Sequence, residues 1–136
     1  MTVVERDDTH ELRITEDIVR LRELARRWAV EVGFNLVDQT KIVTAASELA
    51  RNTVIYGGGG VARLEILRAE QRRGLRLVFE DKGPGIADVE QALRDGFTTG
   101  SGLGLGLGGA RRLSNEFEIW SKPGEGTRVS ITRWRA

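Results

Sequence analysis

Residues 100–109 read Gly100-Ser101-Gly102-Leu103-Gly104-Leu105-Gly106-Leu107-Gly108-Gly109, and six of these ten positions are glycine. Glycine within a helix or strand costs roughly 0.5–1 kcal/mol relative to alanine, and it is used where the backbone approaches a ligand closely or adopts a positive φ. The following residues 110–115 are predicted to form a helix, whose N-terminal amides would point back into the loop. The run therefore predicts a loop that binds an anion such as a phosphate group.

A flexible linker or hinge is the alternative interpretation of a glycine-rich run. The residues between the glycines are Leu103, Leu105 and Leu107, whereas a linker would use Ser, Thr or charged side chains that do not need burial. The apolar spacers favour a nucleotide-binding loop. The rest of the chain must then supply the second half of the site.

Composition predicts one domain over residues 1–136, since 40% hydrophobic and 30% charged side chains are enough for a single core. Twenty-one Lys and Arg balance twenty Asp and Glu to a net charge of +1, which argues against partners such as nucleic acid or an anionic membrane. Cysteine is absent, which excludes disulfides and thiolate metal sites. With no long apolar run and no cleavable leader in the sequence, we expect a cytoplasmic protein.

Two helices are predicted in the first half of the chain. The first begins at the N-cap Thr15 and ends at Gly33, with an apolar stripe at helical spacing formed by Ile18, Leu21, Ala25, Trp28 and Val32. The second begins at the N-cap Asp38 and ends at the glycines 57–60, with a stripe formed by Ile42, Ala45, Ala46, Leu49 and Thr53.

Glu48 and Asn52 lie one turn apart on the second predicted helix, roughly 80–120° to one side of its apolar stripe. A carboxylate and an amide in this position can be a solvated surface pair. They can also form part of a site, and the choice depends on what the rest of the chain places beside them.

Alternation predicts four strands and a short edge strand over Thr9–Thr15. Val61–Leu67 is one strand, a turn containing Gly74 follows, and the next strand carries Leu75, Leu77 and Phe79 on its inner face. Asp81 continues that inner face, so it is either a cap for the turn at residues 82–85 or the polar anchor of a pocket.

The last third of the chain predicts a hairpin. Phe117–Ser121 forms one strand, residues 122–126 form the turn, and Thr127, Val129 and Ile131 share the inner face of the final strand. Thr127 taken alone would be an ordinary β-branched strand residue.

Four segments in chain order resemble the sequence boxes of the GHKL ATPases, a family that includes gyrase, the heat-shock chaperone, MutL and histidine kinases. They are Glu48–Asn52, Asp81–Gly85, Gly102–Gly106 and Gly126–Thr127, and the resemblance spans residues 38 to 132. It implies an α/β (α+β) two-layer sandwich, in which helices cover one face of a mixed, mainly antiparallel sheet. ATP would lie between the helices and a lid formed mostly by residues 86–101.

The resemblance also implies roles for the residues at the adenine and the metal. Asn52 would hold Mg²⁺, which bridges the phosphates, and Asp81 would accept a hydrogen bond from the adenine amino group. Gly83 and Gly85 would let the ring approach, and Thr127 would bond Asp81 or a water beside the adenine.

In the same resemblance, Glu48 is the catalytic base. The lid would give backbone amides to the phosphates in place of the lysine-bearing loop of P-loop enzymes, whose pattern is absent here. The lid positions are Gly100, Gly102, Leu103, Gly104, Leu105 and Gly106.

Within the GHKL family, a short single domain resembles the RsbT-type serine/threonine switch kinases of bacterial stressosomes. The resemblance implies STAS-domain substrates of the RsbS and RsbR type and, after release, activation of a PP2C-type phosphatase of the RsbU type. The alternative is an anti-sigma factor kinase of the RsbW or SpoIIAB type, which sequesters a sigma factor and phosphorylates an anti-sigma antagonist. These two classes differ in what Glu48 acts upon.

Overall fold

A computed structural model of the chain describes residues 1–94 and 106–135. Its strands are β1 Thr2–Leu12, β2 Gly60–Ala69, β3 Arg72–Asp81, β4 Glu116–Lys122 and β5 Gly126–Trp134. Its helices are α1 Thr15–Val32, α2 Leu36–Arg51, α3 Val89–Ala92 and α4 Gly106–Arg112, and a π-turn at Asn52–Tyr56 follows α2. The strands form one sheet in the order β1-β2-β3-β5-β4, and each neighbouring pair is antiparallel.

The core lies between the sheet and the layer formed by α1 and α2. Leu64 of β2, Leu77 of β3 and Ile131 of β5 stand opposite one another in register, and all three are buried. Leu21 of α1 and Leu49 of α2 belong to the same core. Burying each such side chain stabilises the fold by about 1.5–3 kcal/mol. The apolar faces of the strands and the apolar stripes of the helices therefore share one interior. The two-layer α/β sandwich is confirmed.

The start of α1 differs from the prediction, because Thr15 is the first helical residue and Ile14 is the N-cap. Ile14 has no side-chain acceptor, and the capping role passes to Asp17. Its carboxylate accepts hydrogen bonds from the backbone N–H groups of Arg13 at 2.8 Å and Ile14 at 3.2 Å. In a capping box the carboxylate at the third helical position accepts from the N–H of the N-cap residue, so this half of the box forms here without a capping hydroxyl.

The N-cap of α2 is Asn35 rather than the predicted Asp38. The side-chain oxygen of Asn35 accepts a hydrogen bond from the backbone N–H of Asp38 at 2.8 Å. Asp38 lies in the first turn of the helix, and its carboxylate instead pairs with the guanidinium of Arg133 on β5 at 2.9 Å. The sequence pattern could not show this partner, because Arg133 is distant along the chain.

Two turns also differ from the predictions. The β2–β3 turn lies at Glu70 and Gln71, and Gly74 is a residue of β3 whose open side is covered by the Trp134 ring, 2.7 Å from the position of an added Cβ. The edge strand is longer than Thr9–Thr15 and lies earlier, because β1 pairs with β2 from Thr2 to Leu12 with one register shift between Val4 and Arg6. In both cases cross-strand pairing decides what local residue preference leaves open.

Among the helices in the described ranges, not one has both the length and the apolar character that a membrane crossing requires.

Candidate functional site

A cavity of about 450 Å³ opens between α2, the end of β3 and the β4–β5 hairpin. This volume lies in the range of small-molecule sites. The predicted site residues that line it are Glu48, Asn52, Asp81, Gly85, Gly106 and Thr127. Gly83 does not line the cavity, and Gly100, Gly102, Leu103, Gly104 and Leu105 are outside the described residues. The tertiary structure therefore brings residues from all four sequence boxes to one cavity, the third box through Gly106.

Asp81 is the last residue of β3 and lies directly opposite Thr127 of β5. Its carboxylate accepts a hydrogen bond from the backbone N–H of Gly83 at 2.9 Å. Burial raises the pKa of Asp81 above its ordinary value, and the charge of Glu80 adds to the rise, while hydrogen bonds from the backbone amides of Gly83 and Thr127 oppose it. Asp81 is thus a partly desolvated hydrogen-bond acceptor that lines the cavity. This is the environment that we expect for the polar anchor of a pocket.

Glycines allow the backbone to converge around Asp81. A Cβ on Gly57 would overlap the Asp81 carboxyl group, and a Cβ on Gly126 would overlap the Asp81 carbonyl oxygen. An added Cβ on Gly83 would lie 2.6 Å from the carbonyl oxygen of Gly57, and one on Gly85 would overlap the carbonyl oxygen of Lys122. The fold therefore requires glycine at these positions because neighbouring backbone segments pack too closely for a side chain. The approach of an adenine ring at Gly83 and Gly85 stays a prediction.

Glu48 and Asn52 line the helical side of the cavity. The Glu48 carboxylate accepts a hydrogen bond from the backbone N–H of Gly106, the first residue of α4, at 3.2 Å. The amide of Gly106 that was predicted to meet a phosphate is bonded here to a carboxylate of the protein. Asn52 begins the π-turn after α2, and its carboxamide makes no hydrogen bond within residues 1–94 and 106–135. Its oxygen is available to a ligand.

The π-turn Asn52–Tyr56 is a site feature that sequence reasoning missed. Such turns occur as short interruptions at the ends of α-helices or within them, frequently at functional sites. Here the π-turn carries Asn52, Thr53 and Tyr56 along the cavity wall, and Gly57 follows it beside Asp81. Periodicity could not reveal it, because the apolar stripe of α2 continues through Thr53.

Ser121 is a second missed residue. It lies on β4 opposite Thr127 of β5, and the two hydroxyl oxygens are 2.8 Å apart. The same hydroxyl accepts a hydrogen bond from the backbone N–H of Ile86 at 2.8 Å. The sequence did contain a signal for this pair. The predicted five-residue turn makes Ser121 and Thr127 flank the turn, which places their side chains on the same face of the hairpin.

A shallow groove between α1 and α2 lies beside the cavity. It is lined by Arg22, Glu23, Arg26, Arg27, Val30, Val43, Thr44, Ser47 and Glu48. Glu48 lines both the groove and the cavity. The three arginines are exposed and form no ion pair or hydrogen bond with the described part of the chain.

The site chemistry fits a nucleotide with its metal. Apolar side chains such as Phe79, Ile86 and Val129 line the cavity, and a carboxylate acceptor stands among them. Within the described ranges, no group of three or more His, Asp or Glu side chains could hold a metal by itself. A divalent cation at this site would therefore need oxygen ligands from a bound phosphate chain and water, and the role of the Asn52 oxygen as a protein ligand stays a prediction.

A sequence profile described as "Histidine kinase-, DNA gyrase B-, and HSP90-like ATPase" matches residues 37–135, and thus spans α2, the cavity and the final strand. The chain belongs to this ATPase family. The match confirms the resemblance to the GHKL ATPases that the four sequence boxes indicated.

Among relatives of this ATPase, Serine/threonine-protein kinase RsbT of Bacillus subtilis (strain 168) is 47% identical over 118 residues, which cover 87% of this chain and 89% of RsbT. The Anti-sigma F factor of Thermoanaerobacter sp. (strain X514) is 29% identical over 118 residues, which cover 83% of this chain and 82% of that protein. Both relatives are thus similar to this ATPase over most of their length.

A crystal structure of the RsbU and RsbW domains of a Mycobacterium tuberculosis protein matches with a TM-score of 0.67 at 22% identity. The match covers 96% of this chain and 33% of that chain. At this level of identity the match shows that the two share a fold.

Proposed function

We propose that this ATPase is an ATP-dependent serine/threonine kinase that phosphorylates STAS-domain proteins and acts by partner switching. One observation carries the proposal: Glu48 and Asn52 stand one helical turn apart at the end of α2 and line the same cavity as Asp81. A carboxylate beside the phosphate end of a nucleotide is what transfer to a hydroxyl needs, because protein catalysis of phosphoryl transfer is mostly positioning and charge neutralisation. The 47% identity to RsbT supports the same activity.

In this proposal the Asp81 end of the cavity holds the adenine. Its carboxylate accepts a hydrogen bond from the adenine amino group, and Thr127 stands beside it. The carboxamide of Asn52 faces the phosphates, where its oxygen would coordinate Mg²⁺; the ion neutralises phosphate charge when bound. In the same proposal the backbone amides of glycines 100, 102, 104 and 106, with those of Leu103 and Leu105, would contact the phosphates; of these residues the structure describes only Gly106.

Glu48 receives the proton of the acceptor hydroxyl. Its position at the junction of the cavity and the α1–α2 groove supports this role. In this proposal the nucleotide occupies the cavity, and the partner's hydroxyl approaches the Glu48 carboxylate from the groove side. Binding of a nucleotide must also release Glu48 from its hydrogen bond with Gly106 if that amide turns to a phosphate.

The groove itself supports a protein partner with an acidic surface. Arg22 and Arg26 are one turn apart on α1, and such a like-charge pair destabilises a helix by about 0.2–0.5 kcal/mol unless an anion compensates it. A partner's carboxylates would compensate it and would speed association at low salt. Arg26→Glu should therefore weaken phosphorylation of the STAS partner mainly through KM, with ATP affinity unchanged.

The matched control for that variant is Arg68→Glu, which reverses an exposed charge on β2, away from the groove. If both variants slow phosphorylation equally, the effect is one of net charge, and the groove is not the partner's surface.

Partner switching means that the kinase also binds a second protein after release, and we propose a PP2C-type phosphatase of the RsbU type. The second candidate function is an anti-sigma kinase, which the 29% identity to an Anti-sigma F factor favours. In that case the partner retained by the nucleotide-bound protein is a sigma factor. Pull-downs with and without Mg²⁺-ATP against each class of partner distinguish the two.

Transfer of radiolabelled phosphate from ATP to a purified STAS-domain protein tests the kinase activity directly. Glu48→Ala should lower the rate by about 10²–10⁴-fold, because positioned general-base catalysis contributes that much. Nucleotide affinity and melting temperature should stay close to those of the wild type. Glu118→Ala, which removes an exposed carboxylate from β4, is the control.

Transfer by Glu48→Ala at the wild-type rate would overturn the base role and favour the sequestering anti-sigma function. Transfer by neither protein to any STAS domain, with ATP still bound, would leave a nucleotide-gated binding module.

A further inference from the structure

Three residues form a polar row across one end of the sheet. Asp81 of β3 lies opposite Thr127 of β5, which lies opposite Ser121 of β4. Asp81 and Thr127 line the cavity, whereas Ser121 is the cross-strand neighbour of Thr127 and does not line it. Ser121 is therefore placed to act on the site through Thr127 without touching a ligand.

The Ser121 hydroxyl has three polar neighbours in the structure. The backbone N–H of Ile86 donates to it at 2.8 Å, its own proton points to the carbonyl oxygen of Gly126 at 3.0 Å, and the Thr127 hydroxyl oxygen is 2.8 Å away. The contact with Thr127 can have either oxygen as donor when it is considered alone.

The other two neighbours decide the direction of the third bond. A hydroxyl has one proton, and the carbonyl oxygen of Gly126 can only accept, so Ser121 donates to Gly126. The N–H of Ile86 can only donate, so it occupies one lone pair of Ser121. The remaining partner, Thr127, must then donate its proton to Ser121. Only lone pairs of the Thr127 oxygen are left to face the cavity.

We propose that Ser121 is a positioning residue for base selectivity, because it fixes the Thr127 hydroxyl as a hydrogen-bond acceptor beside the Asp81 carboxylate. Two adjacent acceptors match an amino group and repel a carbonyl oxygen. The row therefore selects adenine, which carries an exocyclic amino group, over guanine, which carries a carbonyl oxygen at the same ring position. This inference rests on the proposed binding of ATP.

The bond from Ile86 links this selectivity to the segment that follows Gly85. Ile86 lines the cavity, and its backbone N–H is held by Ser121 alone among the described residues. Loss of the Ser121 hydroxyl would free the Thr127 proton, which could then turn toward a carbonyl oxygen in the cavity. It would also release Ile86 from the hairpin.

Calorimetric titration with Mg²⁺-ATP and Mg²⁺-GTP tests the inference. The measured quantity is the ratio of the dissociation constants for GTP and ATP. It is determined for the wild type, Ser121→Ala, Thr127→Val and the double variant. Ser121→Ala should reduce the preference for ATP by about 3–10-fold, the range expected for one misdirected hydrogen bond. Ser121→Thr, which keeps the hydroxyl, should retain the preference.

The double variant separates a role through Thr127 from a general loss of structure. In the Thr127→Val background, Ser121→Ala should leave the ATP-to-GTP ratio unchanged, because the proton that Ser121 directs is gone. An equal loss in both backgrounds, or an unchanged ratio in the Ser121→Ala single variant, overturns the inference. If the wild type binds neither nucleotide, the proposed function fails instead.

Discussion

At the scale of single residues, burial of Asp81 lowers the stability of the free protein and prepares this carboxylate to bind a ligand. Its carboxylate is partly desolvated at the end of β3, and the backbone amides that donate to it reduce but do not remove the cost of burial. A ligand donor would remove more of that cost. A group that is unfavourable in the free protein and favourable in the complex is the expected signature of a binding residue.

Asp81→Asn should abolish most ATP binding without destabilising the free protein. The pKa of Asp81 is raised on folding, so the native state binds this proton more tightly than the unfolded state does. Stability from this group is present below the ordinary Asp pKa and is lost as pH rises through the raised folded value. Melting curves from pH 4 to pH 8 should therefore show the variant gaining stability relative to the wild type as pH rises.

Calorimetry at pH 7.5 measures the loss of ATP affinity for the same variant. If Asp81→Asn binds ATP with wild-type affinity, the carboxylate is only a turn cap for residues 82–85. If the variant instead melts well below the wild type at pH 8, the desolvation account of Asp81 is wrong.

At the scale of elements, the first turn of α1 depends on one side chain. Asp17 is largely buried, accepts from two backbone amides and pairs with Arg20 at 2.7 Å. The amides of Arg13 and Ile14 hold the pKa of Asp17 below its ordinary value, with a further contribution from Arg20. The carboxylate thus also joins the end of β1 to the helix that follows it.

Asp17→Ala should lower the melting temperature by about 3–6 °C at pH 7, a size typical of a lost helix cap in a domain of this length. The folded pKa of Asp17 is depressed, so its contribution is present above the unfolded pKa and disappears as pH falls through the folded value. The difference between variant and wild type should shrink below pH 4. Glu16→Ala, which removes an exposed neighbour, is the control and should have little effect.

At the scale of the whole molecule, Arg133 joins three elements that are far apart in the sequence. From β5 its guanidinium donates to the Asp38 carboxylate of α2 at 2.9 Å and to the carbonyl oxygen of Leu113, just after α4, at 2.8 Å. The side chains of Arg133 and Asp38 are only 16% and 20% exposed. The pair therefore holds the starting end of α2 and the far end of α4 against the sheet.

Arg133→Ala should destabilise the protein by about 2 kcal/mol, less than the loss for a fully buried pair because solvent still reaches both groups. Urea unfolding measures the difference, with Arg128→Ala on the exposed face of the same strand as the control. Restored stability in Arg133→Ala/Asp38→Ala would show that the unpaired Asp38 carboxylate causes much of the loss. No change in Arg133→Ala would mean that the contact with Asp38 and Leu113 carries no net energy.

The sequence by itself determined the family, the two-layer sandwich and several of the residues that line the cavity. Strand alternation and helical stripes depend on local geometry, so Leu64, Leu77 and Ile131 could be assigned to one core. Glu48 and Asn52 could be paired because one helical turn fixes their separation. Asp81 and Thr127 could be linked only through the family resemblance, and the register of β3 and β5 places them opposite each other.

Only the tertiary structure decided the partners of the polar groups. The sequence predicted Asp38 as a helix cap, whereas its carboxylate pairs with Arg133. It predicted Gly74 as a turn residue, whereas this glycine lies beneath the Trp134 ring. The role of Ser121 depends on its contacts with Ile86, Gly126 and Thr127 together. A hydrogen bond or ion pair depends on distances of a few ångströms between residues that are remote in the chain. Local patterns fix which face a side chain occupies, whereas the packing of whole elements fixes what it meets there.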